Sequence, residues 1–368
     1  MHRLQRVLNR LVDRVDTPMP IVLADVMQRN IDGMQGFAVE HDLDLRPHVK
    51  THKCVEVGRR QVEAGAVGIS AGNVGEAEVF AQAGFEDIFI AYPVWPSGTK
   101  GDRIRRLAQT TRMRVGVDNL AAVEALADAM RGEPDRLEVV VEIDCGARRS
   151  GAPPAAAGDL ARAARKRGLV PVGVYTYPGH GSSGPGSREP AAHDQEAALT
   201  AAVRSFGDVG ITAEVVSAGS TPTAAFSTSS VITEIRPGEY VFYDLNNTRL
   251  GTCDDDQIAL FVAATVVSDW VPDQVILDVG TKALGGEGNP ERGYGGIAGK
   301  KAVLAKLNEY HGFAAVPGGQ PRPSVGSLIP VVPNHVCPVV NSFDELLVTD
   351  TEGTMLERWP VAARGLLS

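Results

Sequence analysis

The sequence predicts a (β/α)8 barrel of the TIM type, followed by a mostly β C-terminal domain. From residue 40 onward, short runs rich in β-branched residues alternate with alanine-rich amphipathic stretches, the pattern of alternating strands and helices. Eight such runs favour a closed barrel over an open, doubly wound sheet, which remains the structural alternative. The predicted strands span residues 45–50, 68–72, 88–93, 114–118, 138–144, 172–178, 214–219 and 239–244.

The stretches between these strands read as helices, and the pattern changes after residue 244. A helix is predicted over 74–83, because Asn73 is a good N-cap and Gly84 a good end. The remainder reads as strands at 258–267, 274–279, 327–332 and 346–349, with a glycine-dense loop at 285–299. We therefore expect a barrel at 18–248 and a β-rich domain at 249–368 that also includes 1–17.

Composition and charge restrict the class of partner. The chain has 368 residues with 36 basic and 45 acidic side chains, a net charge of -9, which argues against nucleic acid or an anionic membrane. No apolar run approaches the roughly 20 residues of a membrane helix, and the first 16 residues lack a signal-peptide core. Four scattered cysteines do not suggest a disulfide framework. We expect a cytoplasmic protein with a small-molecule ligand.

Lys50 is the first candidate catalytic residue. It ends the first predicted strand, within the segment 46–53, which reads Arg-Pro-His-Val-Lys-Thr-His-Lys. Like-charge repulsion from His48, His52 and Lys53 would favour a neutral amine, the form that a Schiff base requires. The alternative is that Lys50 and Lys53 are ordinary solvated charges.

Other distinctive polar residues also fall at predicted strand ends, where barrel enzymes carry their active sites. The fifth strand runs into 144–151, and the sixth carries Tyr175 and Tyr177 and leads to His180. The seventh ends in Gly219-Ser220-Thr221, whose N–H groups and hydroxyls suit a phosphate-sized anion, although such turns also serve as helix caps. A reactive lysine and a phosphate cradle on one barrel face suggest pyridoxal 5'-phosphate (PLP).

His335 and Cys337 form a second candidate site. On an extended segment, residues i and i+2 project from the same side, so both could reach one ion. Imidazole and thiolate together favour zinc, and two protein ligands would leave positions for water and substrate. The alternative is a buried structural pair. Cys145 reads better as small-residue packing than as a nucleophile, and Cys54 and Cys253 stay unassigned.

These residues resemble a known family, the fold-type III, alanine-racemase-like PLP enzymes, and within it the D-serine dehydratase and D-threonine aldolase group. The resemblance spans nearly the whole chain. Its segments are 17–18, 46–53, 75–78, 91–93, 144–151, 219–222, 233–234, 236–238, 240–244 and 333–337.

The resemblance implies roles for the barrel residues. Lys50 would bind the PLP aldehyde covalently, Arg149 would lie near the cofactor ring, and Tyr175 would face the pyridine nitrogen. A tyrosine there would leave this nitrogen less protonated than a carboxylate would, so the ring would be a weaker electron sink. The phosphate would be held by Gly219, Ser220 and Thr221.

The resemblance also implies a divalent metal on His335 and Cys337, where the substrate's β-oxygen would bind. Zinc is expected, with manganese or magnesium as alternatives. The implied substrate is a small D-amino acid with a β-hydroxyl, and the implied assembly is a homodimer. Two reactions share these parts: dehydration to a keto acid and ammonia, and retro-aldol cleavage to glycine and an aldehyde.

Cys337 and the segment 240–245 favour the dehydratase reaction, since the aldolases more often have an oxygen ligand in place of this cysteine. D-threonine aldolase activity is the alternative within the family. A non-catalytic PLP-binding barrel protein is the alternative from another class, although such proteins usually lack the extra β domain. A racemase would need a second base that the sequence does not identify. Proton-transfer roles for His52 and His180 stay open.

Overall fold

The strands of the computed structural model form two separate sheets. The structure describes residues 2–298, 302–316 and 321–368. In these ranges the strands are β1 (Met19–Leu23), β2 (Asp44–Leu45), β3 (Ile69–Ala71), β4 (Asp87–Pro93), β5 (Arg112–Val117), β6 (Leu137–Glu142), β7 (Val170–Tyr175), β8 (Val215–Ala218), β9 (Glu234–Ile235), β10 (Leu260–Ser268), β11 (Gln274–Leu277), β12 (Gly296–Ile297), β13 (Ala302–Leu307), β14 (Gly312–Ala315), β15 (Leu328–Val332), β16 (Glu345–Thr349) and β17 (Glu357–Pro360).

An α-helix follows each of the first seven strands, whereas only a 3-10 turn follows β8, and the later helices are short and sparse. None of the helices, within the described ranges, combines the length and apolar character needed to cross a bilayer. They are α1 (His2–Arg10), α2 (Ala24–Glu40), α3 (Val55–Glu63), α4 (Val74–Gln82), α5 (Thr99–Thr110), α6 (Leu120–Ala129), α7 (Ala157–Lys166), α8 (Arg188–Asp208), α9 (Leu245–Arg249), α10 (Thr281–Leu284) and α11 (Val336–Val340).

The first sheet is a parallel, curled sheet of eight strands in the order β2-β9-β8-β7-β6-β5-β4-β3. Its two ends meet: the backbone N–H of Val67 donates to the carbonyl of Leu45 at 3.0 Å, and Ser70 N–H donates to the carbonyl of Pro47 at 2.8 Å. The predicted TIM-type fold class is therefore confirmed. Strands β3 to β8 agree in position with the predicted ones, and α4 begins as expected, with the Asn73 side chain accepting from Glu76 N–H at 2.9 Å.

The eighth strand of the barrel was placed wrongly by the sequence. It is β9, Glu234–Ile235, and not 239–244. Pro237 and Gly238 prevent the strand from continuing, and Glu239–Val241 forms a 3-10 turn. Asp244 then caps α9, accepting from Asn247 N–H at 2.9 Å. The apolar residues of 239–244 are buried in turns, which a run of apolar letters cannot distinguish from a strand.

The second sheet has nine strands in the order β11-β14-β13-β12-β15-β10-β1-β16-β17, and β11 also pairs with β10, which gives it a barrel-like form. All pairings are antiparallel except β1 with β16. The predicted C-terminal strands correspond to β10, β11, β15 and β16. Most of the glycine-dense segment 285–299 is irregular apart from β12, and its last residue, Gly299, lies outside the described residues.

The contacts divide the chain into two interleaved units. The first contains the nine-stranded sheet, and the second contains the parallel barrel. The predicted boundaries at 18–248 and 249–368 stay a prediction about domains. The first unit is Met1–Asp32, Thr51–Glu56 and Glu239–Gly365, and the second is Gly33–Lys50, Val57–Gly238 and Leu366–Ser368.

A network of paired charges lies inside the barrel unit. Arg46 is only 1% exposed, and its guanidinium donates to Glu234 Oε2 and to Asp87 Oδ1, each at 2.6 Å. Burial alone would raise the pKa of Glu234, but Arg46 holds it below the usual value. Gly68 leaves room for this side chain, since a Cβ there would lie 2.3 Å from Arg46 Nη1. The network ties β2, β4 and β9 together.

We expect Arg46→Ala to lower the free energy of unfolding by about 3–5 kcal/mol, because it leaves the buried Glu234 carboxylate without its main partner. Denaturant unfolding followed by tryptophan fluorescence measures this. The matched control is Arg162→Ala, which removes an exposed partner of Asp159 and should cost less than about 0.5 kcal/mol. Equal effects of the two variants would contradict a stabilising role for the buried network.

Candidate active site

Lys50 lies at the mouth of the barrel, but not on a strand. Strand β2 ends at Leu45, and Lys50 is in the 3-10 turn Val49–Thr51, so the predicted strand 45–50 is too long. Pro47 has no N–H to continue a ladder. The Lys50 side chain is exposed, and its backbone N–H donates to Nδ1 of His48 at 3.4 Å. The amine is therefore accessible to a ligand.

The side chains of Lys50 and Arg149 both contact the ring of Tyr177. The Lys50 ammonium lies 5.6 Å from the centroid of the Tyr177 ring, and the Arg149 guanidinium carbon lies 4.8 Å from it. Both distances suit cation–π contacts. The sequence singled out Tyr177 at a strand end without giving it a role. Its position two residues after Tyr175 was the available signal.

Tyr175 is the last residue of β7 and points into the barrel, where it is 1% exposed. Its ring lies against Gly116. A Cβ at residue 116 would come within 2.1 Å of the Tyr175 hydroxyl, so only glycine fits there. The Arg236 guanidinium carbon lies 5.1 Å from the ring centroid. Burial and the Glu142 carboxylate raise the pKa of Tyr175 well above its usual value, so the phenol keeps its proton.

Two buried polar atoms in the barrel unit suit the polar groups of PLP. The Tyr175 hydroxyl and Arg236 Nε are buried and have no hydrogen-bond partner among the described residues. Arg236 uses its other nitrogens, donating to Ser217 Oγ at 2.6 Å and to the Thr176 carbonyl at 2.8 Å. Buried polar atoms normally find a partner, so these two suit an anionic, nitrogen-containing ligand. Arg236 is a functional candidate that the sequence did not assign.

The predicted phosphate cradle is a tight turn after β8 whose groups are partly paired already. Gly219 N–H donates to Gln195 Oε1 at 2.8 Å, and Ser220 N–H donates to Thr223 Oγ1 at 3.0 Å. The Thr221 hydroxyl accepts from Gly238 N–H at 3.2 Å. A 3-10 turn, Ala224–Phe226, follows in place of the predicted helix, so no helix dipole contributes. The roles of Gly219, Ser220 and Thr221 stay a prediction.

In the other unit, the structure brings Glu239 to His335 and Cys337. One potential ligand atom from each lies within 4.8 Å of the others, and all three side chains are half-buried. Sequence analysis missed Glu239 because it assigned 239–244 to a strand. It also expected an extended segment at 335–337, whereas His335 is the N-cap of helix α11. Nitrogen, sulfur and oxygen donors together suit a divalent metal of the zinc type.

Neighbouring groups hold this cluster in place. Nδ1 of His335 lies 2.6 Å from Glu287 Oε1, and the Asn247 amide donates to Glu239 Oε2 at 3.0 Å. The Thr51 hydroxyl lies 3.4 Å from Cys337 Sγ. Burial would lower the pKa of His335, yet the Cys337 sulfur and the two carboxylates raise it strongly. The cluster thus favours positive charge, which a metal ion would supply.

The remaining candidates have structural partners. Nδ1 of His52 accepts from Cys54 N–H at 3.1 Å, and Nε2 of His180 lies 3.2 Å from Asp194 Oδ2. Burial raises the pKa of the Cys145 thiol, which agrees with a packing role, and raises that of Cys253 to about 12. Low-pKa thiolates are the reactive ones, so neither thiol is a good nucleophile.

Two family models match the chain. The model for the alanine racemase N-terminal domain matches residues 22–246, and the model described as a putative serine dehydratase domain matches residues 259–349. The first covers more than half of the chain and includes the barrel strands with Lys50, Tyr175 and Arg236. The second includes His335 and Cys337.

Several relatives match over nearly their whole length. A D-threonine aldolase from Arthrobacter sp. is 34% identical over 363 residues, 96% of this chain and 93% of the relative. A D-threo-3-hydroxyaspartate dehydratase from Delftia sp. is 32% identical over 93% of this chain and 96% of its own. The crystal structure of D-threonine aldolase from Filomicrobium marinum has a TM-score of 0.89 at 31% identity, covering 97% of this chain and 98% of that one. The chain therefore belongs to the fold-type III, alanine-racemase-like PLP enzymes, in the group that contains these D-β-hydroxy amino acid lyases.

Proposed function

We propose that this protein is a PLP- and metal-dependent lyase that acts on small D-β-hydroxy amino acids, and that its reaction is the dehydratase type. The observation that carries the proposal is the cluster of His335, Cys337 and Glu239, because a metal held there would be a Lewis acid for a β-hydroxyl. The family, which includes both dehydratases and aldolases, supports the substrate class.

Residues of the barrel would bind the cofactor. PLP, when bound, stabilises negative charge that develops at Cα of an attached amino acid. Lys50 is the covalent anchor, and Tyr177 and Arg149 limit where its amine can move. Tyr175, which keeps its phenolic proton, would face the pyridine nitrogen of the ring. Arg236 adds a buried positive charge next to Tyr175.

In the other unit, His335, Cys337 and Glu239 would hold the divalent metal, with zinc as the proposed ion. Glu287 fixes the imidazole of His335 through Nδ1, which leaves Nε2 for the metal. Asn247 fixes Glu239 in the same way. We propose that the active assembly is a homodimer, as the family resemblance implies.

The thiolate of Cys337 supports dehydration over aldol cleavage. In the resemblance, a cysteine at this position goes with the dehydratases. Aldolase activity is the second candidate. It is favoured by the Arthrobacter relative, a D-threonine aldolase whose match covers 96% of this chain. Dehydration of D-serine gives pyruvate and ammonia, whereas cleavage of D-threonine gives glycine and acetaldehyde.

Product analysis tests the reaction type. We expect the metal-loaded holoenzyme to release pyruvate and ammonia from D-serine and 2-oxobutanoate from D-threonine, measured by chromatography of the keto acids. D-alanine, which has no β-oxygen, is the control and should give no product. Glycine accumulating from D-threonine would favour the aldolase candidate. No turnover of any of these amino acids would favour a non-catalytic PLP-binding protein.

Covalent trapping tests the anchor. After borohydride reduction of the PLP-loaded protein and digestion, we expect the cofactor mass on the peptide that contains Lys50, because reduction makes the lysine linkage permanent. Lys50→Ala should lose the bound-cofactor absorbance, while the exposed control Lys166→Ala should keep it. Cofactor mass on any other lysine of the wild-type protein would refute the assignment.

Metal removal tests the second half of the site. Chelation should abolish activity while PLP stays bound, and zinc should restore it. Cys337→Ala should weaken zinc binding by about 10-fold or more, because it removes one of three donors. The matched control is Cys253→Ala, which removes a buried thiol outside the cluster. Unchanged zinc affinity of the Cys337 variant, measured by competition with a chromogenic chelator, would reject this cluster as the metal site.

A further inference from the structure

Five buried polar atoms in the barrel unit lack a partner among the described residues, and three of them lie at strand ends: Glu142 Oε2, the Tyr175 hydroxyl and Arg236 Nε. Leaving such an atom unpaired is unfavourable, because the atom has lost water and gained no partner. Tyr175 and Arg236 are already part of the proposed cofactor site. Glu142 has no role in it so far, and neither its sequence position nor the family resemblance pointed to it.

Glu142 is placed beside Tyr175 by the sheet itself. It is the last residue of β6, Tyr175 is the last of β7, and the two are aligned neighbours in the parallel pairing. Aligned residues on neighbouring parallel strands project from the same face, so both side chains enter the barrel interior. The charge of Glu142 contributes to the raised pKa of Tyr175, which places the two groups within electrostatic reach.

The carboxyl of Glu142 is held from one side only. Its Oε1 accepts from the Ser150 hydroxyl at 2.9 Å and lies 3.8 Å from Arg149 Nη2. Burial raises the pKa of Glu142 above its usual value, although Ser150, Arg149 and Tyr175 oppose this effect. The side chain is 3% exposed, so Oε2 has no access to bulk water. The Tyr175 hydroxyl, on the aligned residue of the neighbouring strand, is also buried without a partner among the described residues.

We infer that Glu142 is a positioning residue for the cofactor ring. Its carboxylate accepts a hydrogen bond from the Tyr175 hydroxyl and thereby turns the oxygen lone pair of Tyr175 toward the pyridine nitrogen. This inference rests on the PLP site of the proposed function. A lone pair facing the ring nitrogen favours its protonated form, because only N–H⁺ can then donate. Glu142 thus gives the tyrosine part of the effect that a direct carboxylate partner would have.

Glu142→Gln should reverse this hydrogen bond. Ser150 and Arg149 are donors, and they would fix the amide oxygen of the glutamine on their side. The NH2 group would then face Tyr175 and donate to its oxygen. Tyr175 would turn its O–H toward the ring nitrogen, which must lose its proton to accept. The substitution changes hydrogen-bond direction with almost no change in volume.

The experiment uses holoenzyme loaded with PLP labelled with nitrogen-15 at the ring, observed by NMR at mildly alkaline pH. The wild type should show a protonated ring nitrogen. Glu142→Gln should shift the resonance toward the unprotonated position, and the shift should vanish in a Tyr175→Phe background, because Glu142 acts through the phenol. The control Glu124→Gln, which removes an exposed carboxylate on α6, should leave the resonance unchanged.

An unprotonated ring nitrogen in the wild type would overturn the inference, and this result needs no variant to fold. So would an unchanged resonance in Glu142→Gln, or the same shift with and without the Tyr175 hydroxyl. These outcomes leave the proposed function intact, because cofactor loading is verified separately by absorbance. If the wild-type protein binds no PLP, the proposed function fails and this inference fails with it.

Discussion

The pairing of buried charge is the constraint on which the barrel depends. Strands β2 and β9 are each only two residues long, so their ladder supplies few hydrogen bonds to close the sheet. Arg46 directly follows β2 and Glu234 begins β9, and their side chains form an ion pair that is almost fully buried. Arg114 lies near the same carboxylate, at 3.6 Å. The shortest part of the sheet is therefore the part with the strongest side-chain connection.

The strand ends follow the opposite rule. There, Glu142, Tyr175 and Arg236 have polar atoms that are buried without partners among the described residues. A protein tolerates such atoms where a ligand completes them. The Arg46 and Glu234 side chains are thus paired with each other, whereas Glu142, Tyr175 and Arg236 each keep one unpaired polar atom among the described residues.

Sequence reasoning identified what depends on local pattern. Strand alternation, the cap at Asn73, Lys50 after the first strand and the pair His335 and Cys337 could all be read from neighbouring letters. It failed where distant residues decide. Glu239 becomes a candidate ligand only because a turn brings it to residues almost a hundred positions later. The backbone N–H of Gly219 donates to Gln195 Oε1 on helix α8, and the residues of the glycine turn give no sign of this contact.

Strand β1 has a consequence for how the chain is made. It lies near the N-terminus, but its partners in the sheet are β10 and β16, which follow the entire barrel in sequence. During synthesis, this strand emerges early and must remain unpaired while the ribosome completes the barrel and part of the later segment. Its four buried residues, 20–23, are then exposed apolar surface. The sheet that contains β1 can therefore be completed only after the barrel and the later strands have been synthesised.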